Sequence, residues 1–446
     1  MNTAIKSSSH EADVAAPRGH SRREPWFRRN RLWVLLTMAA VIGSLFYTAI
    51  PRKVGEPFEV PFAVSDQAFR DSLAAVLGSP IVEGNTVRTL VNGKEIFPAM
   101  LESIRGAKKS ITLETYIWSS GRLSDQFIEA LSERARQGVK VHALADGIGT
   151  INLDDREMEL MKEAGVEFVL YDREHWYQPK PDINHRTHRK LLIVDGRVGY
   201  TGGVCIADEW LGDADSPDVW RDTQVRIEGP VVAQMQATFA VNWLQTTSRL
   251  LVGTDYFPHL EPVGSVAVQA VKSGPNEDPE SARISHLIAI ASARESILLS
   301  HAYFVPDSLA IEMLLAALRR GVRVDVIVPD KNDSRVGRAA SRASWGRLLE
   351  AGAVFHRDGP AMYHQKSMIV DGVFVTVGSV NFDNRSFTIN DEFNVNILDR
   401  SVAREHEALF ASDRAESSPY SLEQHQTRGW WVKGFDRLCS MLQLQL

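Results

Sequence analysis

The chain has 446 residues, 44% of them hydrophobic and 24% charged, with two cysteines and a formal net charge of −6. That length can bury two or three domain-sized cores, and cysteines as far apart as Cys205 and Cys439 exclude a disulfide framework and a zinc motif. Residues 1–53 hold nine of the 50 Lys and Arg and three of the 56 Asp and Glu, so the remainder carries 41 basic against 53 acidic residues, a poor nonspecific binder of nucleic acid.

Residues 1–31 read as a basic, disordered tail, rich in Ser, Ala and charge. Residues 32–50 are nineteen positions without a charge. At 1.5 Å per residue a helix of that length spans roughly 28 Å, about the thickness of a bilayer core. Seven basic residues precede this run, against Arg52 and Lys53 after it. The asymmetry predicts one transmembrane helix with a cytoplasmic N-terminus and the rest of the chain on the extracytoplasmic side. A cleaved signal peptide fits less well, because Tyr47-Thr48-Ala49 offers no small-residue cleavage site.

From residue 80 onward the chain repeats itself. The stretch Ser110-Ile111-Thr112-Leu113-Glu114 parallels Ser296-Ile297-Leu298-Leu299-Ser300, Gly138-Val139-Lys140-Val141 parallels Gly321-Val322-Arg323-Val324, and Glu163-Ala164-Gly165-Val166 parallels Glu350-Ala351-Gly352-Ala353. Strand, helix, strand, helix, strand and hairpin, twice over, predict two tandem α/β domains, over residues 80–262 and 263–446, divided where Pro258, Pro262 and Gly264 interrupt the pattern. Two half-sites would meet at one pseudo-twofold active site.

Each repeat ends in the same short pattern: His188-Arg189-Lys190 with Asp195, and His364-Gln365-Lys366 with Asp371. In a strand, residues i and i+2 share a face, so each His points with its Lys. The apolar residues that follow continue as buried strand, and Asp195-Gly196 and Asp371-Gly372 turn the chain into a hairpin. An ammonium beside an imidazole suits a phosphate, and two such pairs supply one ring to attack and one to protonate a leaving group. A single copy would be as well explained by a polar residue opening a strand; the matched pair is not. Segment Trp176-Tyr177-Gln178-Pro179-Lys180-Pro181 has no counterpart in the second repeat and reads either as a lipid-contacting loop or as an ordinary packed one. The stretch 430–446 reads as an amphipathic helix, docked on its own domain in preference to lying at a membrane interface.

These motifs, with Gly378-Ser379-Val380-Asn381-Phe382-Asp383, Asn390-x-Glu392 and Trp220-Arg221-Asp222-Thr223, resemble the phospholipase D superfamily and most closely the bacterial cardiolipin synthases, over about residues 80–446. The resemblance implies phospholipase D-like α/β domains, a metal-free and cofactor-free reaction, His188 as nucleophile and His364 as general acid and then base. It implies that Lys190, Lys366, Ser379 and Asn381 hold phosphate oxygens and that Asp222 and Glu392 orient the imidazoles. Asp195 and Asp371 belong to the motif, with a hairpin-stabilising role favoured over a chemical one. Glu114 reads either as a strand residue or as a carboxylate lining the site, and His185 as a loop residue. Cys205 stands where the family usually has Asn, in Gly202-Gly203-Val204-Cys205, and a thiol is the weaker hydrogen-bond partner.

The expected activity is that of a membrane-anchored phosphatidyltransferase joining two phosphatidylglycerols into cardiolipin through a phosphohistidine. A phospholipase D-type hydrolase, a nucleic-acid phosphodiesterase and a non-catalytic lipid-binding scaffold are the alternatives. The expected partners are the phospholipid substrate and a membrane; nucleic acid is not expected, and the oligomeric state is left open.

Overall fold

The computed structural model describes residues 33, 36, 37, 55–171, 184–359 and 361–441. The expected tail, most of the expected span at 32–50, and the aromatic segment 176–181 lie outside the described residues. Trp33, Leu36 and Thr37 are helical and exposed. Among the described residues no helix is long and apolar enough to cross a membrane.

Two βα-rich halves follow one another in residues 56–446. Helix α1 (Gln67–Leu77) leads into the first: β1 (Val82–Val91), α2 (Asn92–Gly106), β2 (Ser110–Thr115), α3 (Arg122–Arg136), β3 (Lys140–Asp146), α4 (Asp155–Glu163), β4 (Glu167–Tyr171), β5 (Leu191–Val194), β6 (Val198–Gly202), β7 (Thr223–Glu228) and α5 (Val232–Thr247). The second runs β8 (Val266–Ser273), α6 (Ser281–Ser292), β9 (Ser296–His301), β10 (Phe304–Val305), α7 (Ser308–Arg319), β11 (Arg323–Pro329), α8 (Arg335–Glu350), β12 (Val354–Asp358), β13 (Lys366–Val370), β14 (Phe374–Gly378), β15 (Phe382–Asp383), α9 (Asn384–Thr388) and β16 (Glu392–Leu398). It closes with α10 (Arg400–Glu416), β17 (Ser418–Tyr420), α11 (Leu422–Gln426) and α12 (Trp430–Ser440).

The strand orders of the halves correspond: β4-β3-β2-β5-β6-β7-β1 in the first and β12-β11-β9-β13-β14-β16-β8 in the second, with β17 added beyond β12. Antiparallel pairing of β1 with β8 joins them into a continuous sheet. In each half three strands run parallel, and the motif strand, β5 or β13, pairs antiparallel to the first of them. Both motifs therefore begin at the carboxyl ends of the parallel strands, the edge where open α/β sheets build their sites. β5 and β13 are buried throughout, which accounts for the apolar runs at residues 191–194 and 368–370.

Each half has its own apolar core. A third cluster draws on both, combining Ile193, Val225 and Ile227 with Val375, Val377 and Val395. Segment 58–77 precedes the first half but packs into the core of the second. Phe69 meets Phe374 edge to face at 5.6 Å, and Arg294 donates to the carbonyls of Val60 and Phe62. Burying Phe69 and Leu73 there contributes about 1.5–3 kcal/mol each.

Candidate active site

The two motif histidines are each held by the opposite half. His188 Nδ1 donates to Glu392, 2.9 Å from Oε1 and 3.0 Å from Oε2. His364 Nδ1 donates to Asp222 Oδ2 at 2.7 Å. The backbone repeats the exchange. His188 N–H donates to the Asp391 carbonyl and His364 N–H to the Arg221 carbonyl, both at 2.8 Å. One residue earlier, short parallel bridges join Thr187 to Asp391 and Tyr363 to Arg221. Each orienting carboxylate thus follows the residue that clamps the opposite histidine, and neither half holds its own imidazole in register.

The carboxylates are anchored differently. Glu392 Oε2 accepts from Ser379 Oγ at 2.5 Å, while Asp222 Oδ2 accepts from Trp210 Nε1 at 3.0 Å. The residue of the first half matching Ser379 is Gly203, where a Cβ would come within 2.4 Å of Asp222 Oδ1. Glycine leaves the volume that Asp222 occupies, and the Trp210 indole takes over the donor role of the serine. Trp210 gave no signal in sequence; only the loop after β6 brings it there.

Since an ionised carboxylate can only accept, each ring carries its proton on Nδ1 and presents Nε2 to the cleft. Burial, assisted by Lys190 and Lys366 and opposed by Glu392, lowers the His188 pKa to about 4. Burial and Lys366, opposed by Asp222, lower His364 to about 4 as well. Lys366 Nζ lies 2.7 Å from the His364 carbonyl and 3.0 Å from its Nε2, and burial lowers its pKa to about 8 against the pull of Asp222. Lys190 Nζ donates to the His188 carbonyl at 2.7 Å and sits 5.5 Å from the centre of the Tyr116 ring. Tyr116 packs edge-on against His188 at 5.1 Å, and Trp210 and Trp220 lie 5.2 and 5.0 Å from His364. Two neutral imidazoles, His188 with Nε2 open and His364 with Nε2 against the Lys366 ammonium, and two ammoniums in an aromatic frame make a site for a phosphate ester.

Other expected site residues sit differently. Ser379 is fully buried and spends its hydroxyl on Glu392. Asn381 is buried with Oδ1 unpartnered among protein groups. Cys205, at the matching position of the first half, is buried among apolar side chains.

Asp195 and Asp371 lie at the far ends of β5 and β13 from the histidines. Asp195 accepts from the amides of Lys108, Lys109 and Ser110, and Asp371 from those of Arg294, Glu295 and Ser296. Both have left-handed backbone, φ 54° and 51°. They tie the motif hairpin to the entrance of the neighbouring strand.

Glu114 is 1% exposed. Its carboxylate accepts from Thr187 Oγ1 at 2.5 Å and Asn242 Nδ2 at 2.7 Å, and burial raises its pKa to about 7. Asn242 also reaches Asp391, whose carboxylate meets His185 Nε2 and the Tyr171 hydroxyl, each at 2.9 Å. Glu114 and His185 thus brace the loop that carries Thr187 and His188. Thr187, Asn242 and Asp391 escaped the sequence reading, because nothing local marks buried polar partners drawn from three elements.

Known proteins resemble the chain over most of its length. The family described as "Cardiolipin synthase, PLD-like domain" matches residues 100–243 and 287–414. Cardiolipin synthase 1 of Bacillus cereus is 34% identical over 359 residues, covering 79% of this chain and 70% of the relative. Major cardiolipin synthase ClsA of Bacillus subtilis is 32% identical over 353 residues, covering 79% and 73%. The crystal structure of phosphatidylserine synthase from Haemophilus influenzae superposes with a TM-score of 0.62 at 14% identity, covering 84% of this chain and 99% of that one, a likeness of fold. The chain belongs to the cardiolipin synthase, PLD-like domain family, with its PLD-like domain in two halves.

Proposed function

We propose that the protein is a phosphatidyltransferase that makes cardiolipin from two phosphatidylglycerols through a phosphohistidine. The exchange of orienting carboxylates supports this reading most directly. It builds one site with two rings in equivalent settings, as a reaction with two in-line displacements at one phosphorus requires. The family relatives, named as cardiolipin synthases, favour a second lipid over water as acceptor.

In the first step His188 Nε2 attacks phosphorus, forming an N–P bond as the P–O bond to glycerol breaks. His364 delivers its Nε2 proton to the departing glycerol oxygen. In the second, a hydroxyl of another phosphatidylglycerol loses its proton to His364 and attacks phosphorus, and the N–P bond breaks. Lys190 and Lys366 neutralise the phosphoryl oxygens. Burial and then the Lys366 ammonium hold the pKa of His364 low, and a bound anion beside the ring favours its protonated form against both. Asn381 is assigned to the phosphate cradle with Lys366. Ser379 and Glu114 act as positioning residues, through Glu392 and Thr187.

The reading extends to location: a single-pass anchor at 32–50, a cytoplasmic N-terminus and an extracytoplasmic body, supported by the basic residues before the span. A reporter fused after Leu446 is expected to be active only outside the cytoplasm, and cytoplasmic activity would reverse that topology. The chemical steps are tested by incubating His364→Ala with phosphatidylglycerol, digesting it and measuring peptide masses. A phosphatidyl adduct on His188 is expected; an adduct mapped to another residue contradicts the assignment.

A further inference from the structure

Helix α12 is docked the wrong way round for a helix of a water-soluble surface. Its buried residues are Asp436 and Cys439. Asp436 is paired with Arg342 at 2.7 Å and with Arg428, and Cys439 packs with Val305, Ala339 and Ala340. Trp430, Trp431, Leu438 and Met441 are each at least 60% exposed, and Phe435 is exposed beside them. At 100° per residue these five span an arc of about 140° that adjoins the docked side at Phe435, with exposed Lys433 and Arg437 along its other flank. A contiguous apolar stripe of this kind marks a contact surface.

Helix α12 is docked near the edge that carries the histidines. Val305, in the same apolar cluster as Cys439, belongs to β10, and β10 pairs with β15 directly after Asn381. The first half presents a matching feature. Ile148 and Ile151, the latter 80% exposed, sit on the loop after β3. Asp146 holds that loop through the amides of Ile148 and Gly149 while its other oxygen accepts from Thr187 N–H, next to His188. The Ile148–Ile151 loop therefore stands beside the first motif loop, and α12 docks against the segment that neighbours Asn381 in the second half.

We propose that this edge is a lipid-contacting face, with α12 lying in the headgroup region of an anionic bilayer and the Ile148–Ile151 loop as a second point of insertion. Indole rings favour the boundary between headgroups and acyl chains, and flanking cations suit anionic headgroups. A second copy of the chain fits less well. The helix's one acidic residue, Asp436, is turned inward and paired, so two stripes in contact would bring basic flank to basic flank.

The test uses the full chain in phosphatidylglycerol–phosphatidylcholine vesicles, labelled with nitrobenzoxadiazole at Leu438→Cys, Ile151→Cys or Glu163→Cys, the last exposed at the opposite edge of the sheet. Wild type, whose two cysteines are buried, serves as the blank. Lipids carrying a quencher in the acyl chain are expected to quench Leu438→Cys and Ile151→Cys several-fold more than Glu163→Cys. Equal quenching at the three positions overturns the proposal, as does a Leu438 label shielded from lipid but self-quenched by a neighbouring protein. The same comparison in a His188→Ala background separates this result from the proposed reaction, since lipid contact does not require turnover.

Discussion

His188 Nδ1 and Glu392 Oε1, separated by 204 positions in the chain, lie 2.9 Å apart, and the pair recurs in mirror form as His364 with Asp222. Neither half can complete its own histidine. Association of the halves and assembly of the chemistry are therefore one event.

Replacing either carboxylate by its amide keeps the shape but lets the ring adopt the wrong tautomer. Glu392→Gln and Asp222→Asn are each expected to lower kcat by about 10²–10⁴, with the melting temperature little changed. The double variant is expected to lose far less than the product of the two effects, because the rings act as a unit. Steady-state rates on phosphatidylglycerol vesicles measure this, and multiplicative losses would mean that the two rings act separately.

Gly203→Ala is expected to reduce turnover at least ten-fold per folded molecule and to cost about 1–3 kcal/mol of stability, since its methyl group displaces buried Asp222 from His364. Trp210→Phe, which removes the indole donor without adding volume, is expected to give a smaller loss in the same rate measurement.

Lys366 sets an alkaline limit. Its pKa, lowered to about 8, means that its charge is present below that pH and lost above it. A profile of kcat/KM against pH is expected to fall above about pH 8, and Lys366→Arg to move that fall upward while lowering the rate. A fall that stays in place in the variant would assign the limit to another group.

Asp195 and Asp371 are expected to matter for stability more than for chemistry. Asp195→Ala leaves three amides without their charged acceptor and forces alanine into left-handed backbone, a loss of about 2–4 kcal/mol. Asn tolerates that backbone and is expected to recover part of it. Denaturant melts beside activity per folded molecule distinguish the two roles.

The duplication and the motif strands were legible in the sequence because they rest on local signals. Buried runs such as 191–194 are continuous and apolar, and the turn dipeptide Asp-Gly closes both hairpins. What escaped depends on partners remote in the chain. Segment 58–77 seats Phe69 on Phe374 of the other half, and no periodicity announces that. Glu114 read either as a strand residue or as a carboxylate lining the site, and its partners Thr187 and Asn242 come from other elements. The helical pattern of α12 was readable and its docking expected, but burial through Asp436 with the apolar face outward inverts the usual rule.

The central claim is that one two-histidine site transfers a phosphatidyl group between lipids. Lipid mass spectrometry of the purified protein with phosphatidylglycerol, beside His188→Ala, tests it most directly. Cardiolipin with an equal amount of released glycerol is expected, both absent from the variant. Phosphatidic acid as the sole product, or cardiolipin formed equally by His188→Ala, would contradict it.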